Sequence, residues 1–298
     1  MGWIAALLAG GVLLFNSKAT PARVGNEIEK SLRSQYPQSQ IEVEVRGKRG
    51  LNVTRGKFKS VRIQMTNVSS SGDGLLQIAA VEKARKAGRI GQLSFGLRDF
   101  SLNGVPIQSA DVTWNDVVYD VKSLKDKSKL ELQSVGQGSA KIVVAASSLQ
   151  ALLEAREGGS SDSGIQKPKV VLRNGRIELS GEREVPLLGV QPFSLNARLE
   201  SRNGNEIWLA DAKGTVAGAP LPSAFLEPLL KGFNPIYRFE LNEKWPFRAL
   251  LQEVRVLDDT LQIDAALTFI PASEKSPIAP VPDVTSSSPT PQVVPSPA

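Results

Sequence analysis

The 298-residue chain contains no cysteine and no histidine. Without cysteine there are no disulfides, thiolate nucleophiles, iron–sulfur clusters or cysteine-type zinc sites. The compartment stays open, because exported proteins without cysteine are common. Without histidine the chain loses the usual general base near neutral pH and the commonest metal ligand, and a Ser-His-Asp triad is excluded. Aromatic residues are scarce at 6%, against 41% hydrophobic residues, so the core is aliphatic. There is no P-loop, no dinucleotide-binding glycine motif after a strand, no G-x-S-x-G elbow, no EF-hand and no zinc spacing. Glu182 with Glu184, and Asp258 with Asp259, are carboxylate pairs of the type glycosidases use. They stand beside strand ends and turns, where solvated acids are ordinary. The expectation is a protein that is not an enzyme, with no catalytic residues, no cofactor and no metal.

What is present begins with charge. The net charge is +6, and it is unevenly spread. Residues 46–98 hold twelve bases and two acids, or +10, which leaves −4 for the rest of the chain. Seven of those bases, Arg46, Lys48, Arg49, Arg55, Lys57, Lys59 and Arg62, occur with no acid between Val45 and Gly72. A concentrated basic face attracts anionic lipid head groups or nucleic acid, whereas a plain solvated edge keeps exposed strands from pairing. Phe58 is the one aromatic within that run, so single-stranded nucleic acid has no array on which to stack, and no nucleic-acid partner is expected.

The ends differ from the middle. Gly2–Phe15 is uncharged and mostly apolar, and the first charge is Lys18. A comfortable membrane span needs ~20 apolar residues. The shorter run matches the apolar region of an export signal, with Ser17-Lys18-Ala19 as a small-x-small cleavage site. No Lys or Arg precedes it, and Lys18 and Arg23 follow it, which leaves an N-terminal membrane anchor open beside a cleaved signal over residues 1–19. Residues 271–298 carry eight of the 19 prolines and read as a disordered Pro/Ser-rich tail.

Between the ends, period-two alternation dominates: Ile41, Val43, Val45; Val61, Ile63, Met65; Leu93, Phe95, Leu97; Phe193, Leu195, Ala197, Leu199; and Leu261 to Phe269. After Leu97 the phase flips to Phe100 and Leu102, which predicts a bulge near Asp99. Asn174-Gly175 predicts a tight hairpin pairing Leu172 with Ile177 and Val170 with Leu179. Asp258-Asp259 predicts an equivalent one pairing Val256 with Leu261 and Val254 with Ile263. Three short helices carry apolar stripes. Ala22–Gln35 has Val24, Ile28 and Leu32. A second, capped by Ser147 or Ser148, has Leu149, Leu152, Leu153 and Arg156. A third, opened by Pro222-Ser223, has Phe225, Leu226, Leu229 and Leu230. The repeated order of helix then hairpin divides the body, residues 20–270, into two related halves of about 20–157 and 166–270, with a Gly/Ser linker at 158–165. The fold class is α+β: a β-rich antiparallel body with short amphipathic helices packed on its sheets. Its apolar faces either close into a dry core or enclose a cavity for an apolar ligand, and periodicity cannot separate the two.

The second half resembles the LmeA-like phospholipid-binding family of bacterial envelopes. The resemblance rests on Gly214-Thr215-Val216-Ala217-Gly218, then Pro220-Leu221-Pro222 opening a helix over Phe225–Leu230, then a closing hairpin from Val254-Arg255-Val256 to Leu261-Gln262-Ile263. The first half matches more loosely through its leading helix, Ile41–Val45, Gly56-Lys57-Phe58 and Ser147–Leu153. Such a resemblance implies an exported, elongated, tubular (TULIP-like) lipid-binding protein, and it shifts the choice above toward a cavity. In such a cavity the helix stripes would place Leu149, Leu152, Leu153, Phe225, Leu226 and Leu229 near acyl chains, where plain core packing is the alternative for each. Arg46, Lys48, Arg49, Arg55 and Lys57 would meet anionic head groups or a membrane surface. Trp245 and Phe247, on a Pro246 loop, would enter a membrane interface. The expected partners are phospholipid and a membrane surface. The competing function is a structural or interaction scaffold of the envelope without a lipid ligand. The repeated helix–hairpin pattern is also similar to the AsmA-type envelope proteins, whose long grooves handle lipids between membranes.

Overall fold

The computed structural model describes residues 20–68, 78–102, 105–123, 130–157, 165–185, 189–239 and 245–275. The apolar N-terminal run, the linker at 158–164 and the tail from 276 lie outside the described residues, as do the side chains of Leu152, Arg156, Glu184 and Leu229.

Helix α1 (Pro21–Gln35) starts at a capping threonine. The Arg23 backbone N–H donates to Thr20 Oγ1 at 3.3 Å, and proline occupies the first helical position, where no donor is needed. Its predicted stripe is real: Val24, Ile28 and Leu32 are buried. They pack on β1 (Gln40–Arg46). The short α2 (Leu51–Thr54) connects β1 to β2 (Lys57–Thr66), which pairs antiparallel with β1. After β3 (Ile78–Ala80) come two long strands, β4 (Ala87–Leu102) and β5 (Val105–Asp120), which form one antiparallel ladder. Then follow β6 (Leu130–Ser134), β7 (Gly138–Ala145) and helix α3 (Ala146–Glu157). The second stretch of chain runs β8 (Ile165–Arg173), β9 (Arg176–Val185), β10 (Gly189–Arg202), β11 (Glu206–Val216) and β12 (Ala219–Pro220). Helix α4 (Ser223–Phe233), β13 (Tyr237–Arg238), β14 (Phe247–Leu257), β15 (Thr260–Phe269) and a 3-10 turn at Ala272–Lys275 complete it.

Two sheets result. The first has the order β1-β2-β4-β5-β7-β15-β14, with β6 on β5 and β3 on β6. The second has the order β12-β11-β10-β9-β8, with β13 on β11. Pairing is antiparallel except for β2 with β4 and β3 with β6. The β-rich α+β class is as predicted, and the sheet is curled.

Both predicted hairpins form in the predicted register. Asn174 and Gly175 take positive φ values of 52° and 73°, and Leu172 faces Ile177. Val256 faces Leu261 across the Asp258-Asp259 turn. They serve different sheets, however. The β8–β9 hairpin lies in the second sheet, while β15 pairs with β7 and carries the last hairpin back into the first.

Three local expectations are corrected. There is no bulge at Asp99. Arg98 faces Ser109 and Phe100 faces Ile107, so the register runs through unchanged, and the buried phase flips on β4 and β5 together. Asp99, at φ 49°, lets the ladder roll without an inserted residue. Neither Ser147 nor Ser148 caps α3. The helix leaves β7 directly at Ala146, whose N–H donates to Asp259 O at 2.9 Å. The first residues past 270 are a 3-10 turn, so the described body reaches Lys275.

One apolar cluster spans both sheets. At its centre Trp114, 1% exposed, sits edge-on to Phe95 at 5.7 Å and stacks on Phe247 at 4.9 Å. Where the end of β5 meets the loop before β4, the buried Asp120 ties two backbone segments, residues 85–86 and 122–123. Its carboxylate accepts N–H bonds from Arg85 at 2.9 Å, Lys86 at 3.4 Å, Lys122 at 2.8 Å and Ser123 at 3.3 Å. Burial pushes its pKa up, but those backbone donors together outweigh burial and hold it below the ordinary aspartate value. A depressed folded-state pKa contributes stability above the unfolded value of ~3.9, and that stability is lost as pH falls through the folded value. Asp120→Asn should therefore lower the unfolding temperature at neutral pH and flatten its fall on acidification. A variant whose acid limb is as steep as the parent's would show that Asp120 is not its source.

Candidate functional site

The space between the sheets is lined almost wholly by aliphatic side chains, because every strand there presents its buried period-two face. Ile107 of β5, Val144 of β7 and Ile263 of β15 come from the first sheet, and Ile177 of β9, Leu199 of β10 and Ile207 of β11 from the second. Leu149 of α3 and Tyr237 and Phe239 at β13 close the sides. The enclosed cavity measures about 50 Å³. Pockets for small molecules run to ~300–1,000 Å³. The cavity admits the tip of a chain and not a lipid.

A larger hollow adjoins it. An open groove of about 670 Å³ runs past the ends of β2 and β4 and the start of β5. Ile107 belongs to both linings, so the groove and the cavity share a wall. The groove floor is apolar, with Val68, Phe100 and Pro106. Its polar lining consists of Gln38, Asn67, Ser101, Gln108 and Ser148, with Asp99 as the only charge among the described lining residues.

The predicted site residues separate into groups. Leu149 lines the cavity, and Leu153 and Leu226 are half-buried against the core. Leu152 and Leu229 have side chains outside the description. Phe225 is a correction: it is 68% exposed on the outer face of α4, because Leu226, Leu230 and Phe233 supply the inward stripe one residue further round. Phe247 is also corrected. It is 3% exposed and stacked on Trp114, so it belongs to the core and not to a membrane interface; Trp245 is half-buried beside it. Arg46, Lys48, Arg49, Arg55 and Lys57 are all exposed. They lie at the Lys57 end of β2, whereas the groove lies past its Thr66 end. Nine strand residues at ~3.3 Å each separate the two, roughly 30 Å. These bases therefore do not stand at the groove mouth, and a head group bound there is out of their reach. Sequence could not show this, because the basic run and the groove share a strand but occupy opposite ends of it.

Glu182 is ion-paired with Lys167 at 3.0 Å, and Asp258 and Asp259 are exposed in their turn. No cluster of three carboxylates able to hold a metal occurs among the described residues. No helix among them is long and apolar enough to cross a membrane.

Ile107 and the groove were missed from sequence. The signal was available in the phase flip on β4, since a rolled ladder turns a former outer face inward. No curated protein and no solved structure matches the chain. The family model for LmeA-like phospholipid-binding matches residues 87–266. That match runs from the start of β4 into the last strand, across both sheets and most of the groove and cavity walls, and the chain belongs to the LmeA-like phospholipid-binding family.

Proposed function

We propose that the protein is a non-catalytic phospholipid carrier or sequestering protein of a bacterial cell envelope, with an elongated, tubular (TULIP-like) body facing the periplasm or the cell exterior. Family membership supports phospholipid as the ligand. The observation that carries the mechanism is the shared wall at Ile107, where an open groove of ligand size meets an apolar interior. An acyl chain lying in the groove enters the interior at its tip as α3 and the second sheet part. Burying each CH₂ from water is worth ~0.8 kcal/mol. A bilayer already provides that burial, so the groove need only match it for transfer to run either way. The apolar run Gly2–Phe15 supports export or anchoring. The lack of histidine and cysteine supports a passive role.

The decisive test is lipid analysis of the purified protein by native mass spectrometry. Phospholipid bound near one per chain is the expected result, with no release of fatty acid or head group on incubation. The small enclosed volume favours a second reading, a scaffold without a lipid ligand, and protein that never carries lipid would establish it. Because no cation lines the groove among the described residues, reversing the charge of Lys48, Arg49 and Arg55 together should leave the lipid content unchanged. A large loss of lipid in that triple variant would show that the basic residues hold the head group after all.

A further inference from the structure

The basic residues gather at one end of the first sheet, from two segments apart in sequence, residues 46–59 and 85–89. β1 ends there and β2 begins there, with α2 between them. Lys57 of β2 pairs alongside Arg89 of β4. The loop before β4, with Arg85 and Lys86, is joined to the end of β5 through Asp120 and through Val121 N–H to Lys86 O at 2.9 Å. Tyr119 Oη donates to Gly56 O at 3.1 Å, which holds the α2 loop against the same corner. Lys48, Arg49, Arg55, Lys57, Lys59 and Arg89 are exposed there and form no ion pair among the described residues. Unpaired cations on rigid loops repel one another unless an anionic surface meets them.

Amid them stands Leu51, 70% exposed at the first position of α2. The helix is held by Val53, which is fully buried, and is entered through Gly50 at φ 70°. The turn thereby points one leucine outward from a ring of cations. The chain also enters the body at this end. Gly25 in the first half of α1 lies against Val43 and Val45, near the end of β1, whereas Arg33 in its last turn reaches Ile41 O at 3.4 Å, near the start. Pro21 therefore lies toward the basic corner, and the apolar run Gly2–Phe15 precedes it in the chain.

We propose that this corner is a docking surface for an anionic bilayer. Leu51 enters the interface, and the surrounding lysines and arginines meet lipid phosphates. The partner is named by complementarity: exposed cations with no ion pair among the described residues, and one protruding aliphatic group, at a single end. Docking here points the groove away from the anchoring bilayer by roughly 30 Å, the length of β2. The carried lipid would then exchange with a second surface. This rests on the lipid-carrier reading for its purpose, but not for its test.

The absence of native cysteine permits a clean probe. Leu51→Cys in the full chain is labelled with an environment-sensitive fluorophore, and Phe225→Cys, equally exposed on α4, serves as the control site. On phosphatidylcholine vesicles containing phosphatidylglycerol, the label at 51 should brighten severalfold and shift to the blue, and the label at 225 should not. The response should fall as salt rises, since exposed charges are screened beyond ~8 Å at physiological ionic strength. It should also fall by about a hundredfold or more in apparent affinity when Lys48, Arg49 and Arg55 are changed to Glu. A label at 51 that stays in water while the protein binds vesicles overturns the proposal, as does a response unaltered by charge reversal. A response to duplex DNA that vesicles do not produce would assign the corner to nucleic acid instead. Lipid content, measured on the same samples, keeps the two readings apart. Lipid bound without a response at 51 sinks the docking surface alone, and a response at 51 without bound lipid sinks the carrier alone.

Discussion

Replacing Leu149 with tryptophan should lower the lipid recovered with the protein by about tenfold, equivalent to ~1.4 kcal/mol of affinity, and leave the fold intact. Leu149 is half-buried on α3 and lines the cavity beside Ile107. The cavity's 50 Å³ takes up part of the added indole, and the rest closes the passage from the groove. Over-filling of this kind costs ~1–3 kcal/mol of stability, which a half-buried site at the end of a helix is placed to relieve. Leu149→Ala is the partner measurement. In a packed core, truncating leucine costs ~2–5 kcal/mol, rising with the void it leaves. Where a lipid tail backs the site, the loss should fall below that range in lipid-loaded protein and return to it after delipidation. Should Leu149→Trp retain the parent's lipid and Leu149→Ala cost the full amount with or without lipid, the interior is packed and the carrier reading fails.

Trp114→Ala should be the most destabilising single truncation, at ~3–5 kcal/mol. Trp114 lies mid-strand on β5, opposite Leu93 on β4 and Gly138 on β7. Gly138 leaves it room: a Cβ there would lie 2.7 Å from the indole Cδ1 and 2.9 Å from Leu267 Cβ. The ring then stacks on Phe247, the first residue of β14. It thus ties the last hairpin to the strands formed from the first half of the chain, a junction spanning more than a hundred residues of sequence. Trp114→Phe should cost distinctly less. It keeps an aromatic face for Phe247 and removes the indole N–H, which is the one buried side-chain donor without a partner among the described residues. Denaturant midpoints with unchanged slopes would check both values. Equal losses for Phe and Ala would show that the stack contributes nothing beyond volume.

Local pairing was legible from the residues. A two-residue turn fixes which residues face each other, so Leu172 with Ile177 and Val256 with Leu261 followed from Asn174-Gly175 and Asp258-Asp259 alone. The stripe of Val24, Ile28 and Leu32 likewise named the buried face of α1 without any knowledge of what covers it. Composition ruled out cysteine and histidine chemistry, and diffuse glycine and aliphatic patterns were enough to reach the family.

Tertiary structure alone decided how those pieces meet. The parallel pairing of β2 with β4, and the return of β15 to β7, are contacts between segments whose alternation would fit several neighbours. Periodicity says that a face is apolar and not which sheet it covers. The same limit governed single residues. Phe247 follows a proline and a tryptophan, as interfacial residues often do, yet the Trp114 ring opposite makes it core. Phe225 shares a stripe with Leu226 on paper, yet the width of the contact with β11 admits one and leaves the other in solvent. The basic run was plain in the sequence, whereas its distance from the groove was not. Strand direction converts nine positions into roughly 30 Å, and only the sheet order shows which end each feature occupies.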